Sequence, residues 1–188
     1  MKLQDRLPAG VEVDGKFYRM DFDFRNVLKM LERLDEDVLP EAKAYNALHC
    51  LCKRPKNAFK VLEAVKGLLF IETRKNGRKV TDFVQDAGLI RAAFRQAYGI
   101  DLYREKLHWL EFTELLSAIP EGNRYADVVS IRARDIPAPT QWNQKEREWL
   151  IKAKQDVALK TTATEQAEQY KKDVDNIGAL LMMMAGGE

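Results

Sequence analysis

The chain has 188 residues, 46% hydrophobic and 32% charged, which suits one domain with or without a tail and suffices to bury a core without covalent staples. Its 31 basic and 29 acidic side chains leave a net charge of +2, so no global charge draws it to nucleic acid or an anionic membrane. The only two cysteines, Cys50 and Cys52, exclude a disulfide framework, and their spacing makes a mutual bridge awkward, as fits a reducing cytoplasm.

The opening Met1-Lys2-Leu3-Gln4-Asp5-Arg6 lacks the apolar stretch of a signal peptide, which predicts a cytosolic chain. Val11–Val13 and Lys16–Met20 flank Asp14-Gly15 and predict a β-hairpin, because both turn positions need positive φ. Asp23 is placed to cap a helix with Phe24, Val27, Leu28, Leu31 and Leu34 on one stripe. Pro40 suits the first turn of the next helix, which is expected to carry Ala44, Tyr45, Leu48, Leu51 and Cys52 inward and to stop near Arg54-Pro55. A third helix is predicted from about Asn57 to Phe70, followed by a polar Asn-Gly loop or short hairpin over residues 72–79.

Asp82 with Gln85 resembles a capping box for a helix with Phe83, Ala87, Ile90, Phe94 and Ala97 on one face, stopped at Gly99. Further helices are expected over 107–119 and 123–134. Phe83, Ile90, Phe94, Trp109, Phe112 and Leu116 are expected to be largely buried. Pro137-Ala138-Pro139 then marks a stiff boundary. Beyond it Trp142, Trp149, Leu150, Ala153 and Val157 predict one apolar stripe on a charged helix, supported by Glu148 and Lys152 one turn apart. Thr161–Thr164 breaks the pattern, and another helix is expected from Glu165 toward Leu181. The fold class that results is all-α: a compact multi-helix domain with a small N-terminal hairpin (residues 1–136) and a C-terminal helical arm (137–188).

Chemistry is hard to find. His49-Cys50-Leu51-Cys52 could touch a metal, but a structural zinc site needs a second ligand pair and His108 is the only other histidine. The cysteines read as core residues. Ser117 and Ser130 sit in no Gly-x-Ser-x-Gly elbow, and no Gly-x-x-x-x-Gly-Lys loop exists for a nucleotide. Asp127, Ser130, Arg132 and Arg134 read as the solvated face of a helix, not a site. These absences predict a protein without catalytic residues, metal or cofactor.

One local charge bias remains: nine Lys or Arg against Glu63 and Glu72 between Lys53 and Lys79. Phosphates could bind there, but stacking aromatics are sparse, with Phe59 and Phe70 expected in the core, and no helix-turn-helix accompanies the patch. The terminal Leu180–Met184 run offers adaptable apolar surface of a kind used for protein binding. Its apolar run, Ile177–Ala185 interrupted by Gly178, falls far short of the roughly 20 residues that span a bilayer.

Six segments together resemble the gene-product-fifteen family of tailed phages of Gram-positive hosts. They are Asp21-Phe22-Asp23-Phe24-Arg25, Asp82-Phe83-Val84-Gln85-Asp86, Ile90-Arg91-Ala92-Ala93-Phe94, Tyr98-Gly99-Ile100-Asp101-Leu102, Leu107–Phe112 and Ile131-Arg132. The likeness covers about residues 8–155; Leu110 stands where the family often has a second Trp, and little beyond Lys160 finds a counterpart. Genes of this family typically lie just ahead of the tape-measure gene, where tail-assembly chaperones are encoded. The resemblance therefore implies a non-enzymatic chaperone that binds the tape-measure protein, and the tail tube protein as a further partner. It would act in the host cytoplasm during assembly and be absent from the mature virion. A structural tail or connector subunit and a nucleic-acid-binding regulator using residues 53–79 stand as alternatives. The partner-binding residues are expected on the arm: Trp142, Trp149, Leu150, Leu181, Met182 and Met183. Intermolecular use, by a neighbouring copy or the tape-measure chain, is favoured over packing back on the main domain.

Overall fold

Asp14 and Gly15 both adopt positive φ, 51° and 71°, as a two-residue hairpin turn between right-twisted strands requires. They join β1 (Gly10–Val13) to β2 (Lys16–Arg19) in an antiparallel pair with Val11 opposite Tyr18. The computed structural model describes residues 4–53, 55–70 and 79–160; within these, seven helices follow the hairpin. The expected loop at 72–79 falls almost wholly outside the described residues, as do the Thr161–Thr164 break and the helix from Glu165.

Helix α1 (Phe24–Leu34) starts where Asp23 accepts a hydrogen bond from the Arg25 N–H, and it buries Phe24, Val27 and Met30. Helix α2 (Pro40–His49) opens on its proline. It ends earlier than residues 54–55, because the Cys50 N–H already turns back to the Ala47 and Leu48 carbonyls. Tyr45 points outward instead of inward, and is 39% exposed. Helix α3 (Ala58–Leu69) buries Val61, Leu62, Val65 and Leu69, but leaves Phe59 on the surface, where the core was expected.

The capping at Asp82 forms, one turn ahead of α4 (Ala87–Tyr98). Its carboxylate accepts from the Val84 and Gln85 N–H groups, and its own N–H donates to Asp86 Oδ2 at 2.9 Å. Asp86 thus takes the reciprocal place that the capping box assigned to Gln85. Phe83 consequently lies in the preceding turn, half-buried. Gly99 ends α4 with φ 71°, a left-handed conformation that glycine adopts without a Cβ penalty. Helices α5 (Trp109–Ser117) and α6 (Arg124–Ala133) follow.

The chain divides into two units, Met1–Ala133 and Arg134–Glu188. In the first, α1 packs on α2, α2 on α3, and α3 on β1, while α4 packs on α5 and α6. Contact between α1 and α5 joins the two groups. Phe112 sits at that junction: its ring stacks on Phe24 at 4.7 Å and on Phe94 at 5.2 Å, nearly parallel to both. Trp109 is buried against Phe70, Phe83 and Phe112, and its indole N–H finds no partner among the described residues. Leu116, expected in the interior, is only half-buried. In the second unit residues 134–142 are all exposed and lead into α7 (Gln144–Asp156). There Glu148 accepts from Gln144 at 3.0 Å, one turn back, in place of the forward pairing with Lys152. No helix among the described residues is long and apolar enough to cross a membrane.

Candidate functional site

The predicted partner-binding residues separate. Trp142 is 87% exposed and Trp149 56%, whereas Leu150 is 1% exposed. Leu150 therefore drops out of the solvent-facing set, because successive helical positions point about 100° apart and the stripe cannot hold both Trp149 and Leu150 outward. Leu181, Met182 and Met183 lie outside the described residues. The approach to Trp142 is braced locally: the Asn143 side chain donates to the Ala138 carbonyl and accepts from the Thr140 N–H, both at 2.9 Å. That bracket closes the turn after Pro137-Ala138-Pro139.

The segments that carry the family resemblance converge in the first unit, and what they do there is structural. Asp23 and His108, which cap α1 and α5, face each other in an isolated antiparallel bridge. Phe24 N–H donates to Leu107 O at 3.0 Å and Trp109 N–H to Phe22 O at 2.8 Å. His108 Nδ1 accepts from the Leu110 N–H, so Nε2 carries the proton that reaches the Pro8 carbonyl at 3.1 Å. Arg25 pairs with Asp23 at 3.0 Å and donates to the Leu102 and Glu105 carbonyls at 2.9 and 2.6 Å. This fork ties the loop after α4 to the start of α1. Arg95 holds Asp101 at 2.6 Å. Arg132, read from sequence as solvated, instead has its side chain largely withdrawn from solvent, 8% exposed, and grips Asp86, while Asp127, Ser130 and Arg134 are exposed as expected. Sequence reasoning missed this pairing because its partners stand 46 positions apart.

The same convergence leaves a groove of about 390 Å³ between α1 and α4. Phe24, Leu28, Ile90, Leu102 and Phe112 line it, with Lys29 on the α1 bank and Arg91 on the α4 bank. The Arg91 guanidinium lies 4.7 Å over the Tyr103 ring, which is 71% exposed. No sequence signal singled out this groove, since its apolar lining reads along the chain as ordinary core stripe.

Elsewhere the surface is less suggestive. Of the basic segment, Lys60 pairs with Asp14, Lys66 with Glu63 and Lys79 with Asp82. Cys50 and Cys52 are half-buried against the core, and burial pushes the Cys52 thiol up. Burial also raises the Tyr125 phenol, whose hydroxyl shares a hydrogen bond with Thr81 at 2.9 Å. Among the described residues no three His, Cys, Asp or Glu side chains gather where they could hold a metal ion.

A family described as "Bacteriophage Gp15 protein" matches residues 3–159 of the chain. No curated protein and no solved structure matches it.

Proposed function

The chain belongs to the bacteriophage Gp15 protein family, which makes it a phage structural or assembly protein, and from that premise we propose that it is a non-enzymatic tail-assembly chaperone that binds the tape-measure protein. The observation that carries this reading is the pair of large aromatic side chains left in solvent on the second unit, Trp142 and Trp149. Tryptophan is enriched among the residues that dominate protein–protein binding energy, because it brings much rigid apolar area at small entropic cost. A tape-measure chain is long, helical and apolar until the tail tube encloses it. A stoichiometric partner that covers that surface needs complementary grooves and no nucleotide. Release follows when tube subunits compete for the same surface.

Three described lysines of the basic segment are engaged in ion pairs within the chain, which counts against the nucleic-acid alternative. Quantitative mass spectrometry of purified virions tests the assembly role against a persisting structural role. A chaperone is missing or far below the stoichiometry of the tube protein, whereas a value matching one ring of subunits in every particle contradicts the proposal.

A further inference from the structure

We propose that the groove between α1 and α4 is a docking site for an amphipathic helix whose apolar anchors are flanked by carboxylates. The inference rests on the reading of the chain as a protein-binding assembly factor, and adds the place and the chemistry of one contact.

Three observations lead there. The groove floor is apolar, made by Phe24, Leu28, Ile90 and Phe112, and its two long walls are helices. A trough of that shape accepts the apolar stripe of a third helix, with anchors at three-and-four spacing. Its volume, about 390 Å³, accommodates side chains and not a helix backbone, so the occupant lies along the mouth and inserts its anchors.

The charges at the mouth then select among helices. Arg25, although beside the groove, is consumed by Asp23 and two carbonyls. Lys29 and Arg91 have no carboxylate partner among the described residues, and they stand one on each bank. Several other cations of this unit, among them Arg33, Lys60, Lys66, Arg95 and Arg132, are paired. Against these two the mouth sets one acid, Glu32. A helix with carboxylates on both flanks of its apolar stripe would meet both cations, whereas one with lysines there would be repelled. A second copy docking through the same groove would bring like-charged rims together, which argues for a different chain as the occupant. Arg91 on Tyr103 supplies a further anchor of the type enriched in binding hot spots.

A displayed library of helical peptides, with a fixed apolar stripe and randomised flanking positions, tests this on the full-length chain. Selection on the wild type is expected to enrich Asp and Glu on both flanks. Lys29→Glu with Arg91→Glu is expected to weaken the selected peptides on the order of tenfold and to enrich Lys and Arg instead. Lys29→Glu alone, at an exposed position, guards against misfolding of the double variant and should move the preference on one flank. Flank preferences unchanged in these variants, or no enrichment over background on the wild type, would overturn the proposal. The outcome is separable from the function: a variant that loses the peptides yet still solubilises the tape-measure chain sinks the groove and leaves the chaperone reading standing. A wild type that binds acid-flanked helices but not the tape-measure chain does the reverse.

Discussion

Arg132 and Asp86 form a two-pronged ion pair, with nitrogen–oxygen distances of 2.7 and 3.0 Å and side chains 8% and 2% exposed. The pair pins the last turn of α6 to the residue before α4, and its spare valences are used. Asp86 also accepts from the Asp82 N–H, and Arg132 also donates to the Val80 carbonyl at 3.0 Å. A buried pair contributes little net stability over an apolar substitute, but removing one partner strands the other's charge.

Arg132→Met should therefore cost about 3 to 5 kcal/mol, read as a lowered urea midpoint. Asp86→Leu combined with Arg132→Met should recover most of that loss. A single variant within about 1 kcal/mol of wild type contradicts the account of this pair as a fully desolvated clasp.

Phe94 is 0% exposed and shares the stack on Phe112. Truncating it to alanine should cost about 3 to 5 kcal/mol by loss of burial and an unfilled cavity. The same truncation at Val84, 76% exposed, should leave the midpoint nearly unchanged. Equal effects at the two sites would mean that the aromatic stack is not the centre of the core.

Asp82 couples the fold to acid. Its carboxyl is held below the usual carboxylate range first by the hydrogen bond from the Gln85 N–H and then by Lys79. A carboxyl with a folded pKa below its unfolded value, about 3.9, stabilises the fold above that value, and the contribution fades as pH falls through the folded pKa. Asp82→Ala should cost roughly 0.5 to 2 kcal/mol at neutral pH. It should also flatten the loss of stability in an acid titration. An acid limb of unchanged slope would show that the cap does not carry this linkage.

Much of this fold was legible in the chain because its signals are local. Asp14-Gly15 dictates a turn by φ alone, Asp23 and Pro40 mark helix starts, and Gly99 marks a stop. Where the outcome depends on distant partners, local pattern misleads. Arg132 looked solvated until Asp86 was brought beside it, and Tyr45 and Phe59 sit on apolar stripes that the neighbouring elements do not fully cover. The arm was only partly legible for the same reason. Trp142 and Trp149 are exposed, yet Leu150, the residue after Trp149, is buried. The groove was invisible, because a trough left open between two helices has no signature in either helix alone.

The cysteines offer a chemical check. With its thiol raised by burial, Cys52 should be mostly protonated at neutral pH and react slowly with iodoacetamide in the folded chain. Unfolding in urea should speed that labelling. Cys50→Ser with Cys52→Ser should leave partner binding intact with some loss of stability. Rapid labelling of folded Cys52, or zinc that copurifies stoichiometrically and whose chelation unfolds the chain, would make the pair a functional site.

Co-expression of the chain with the tape-measure protein encoded beside it, followed by size-exclusion chromatography, tests the central claim most directly. Wild type should keep the tape-measure chain soluble and elute with it at fixed stoichiometry. Trp142→Ala with Trp149→Ala should melt at the wild-type temperature, since both rings stand in solvent, while the tape-measure chain passes to the insoluble fraction. A tape-measure chain that stays insoluble with wild type, or that elutes apart from it, contradicts the account.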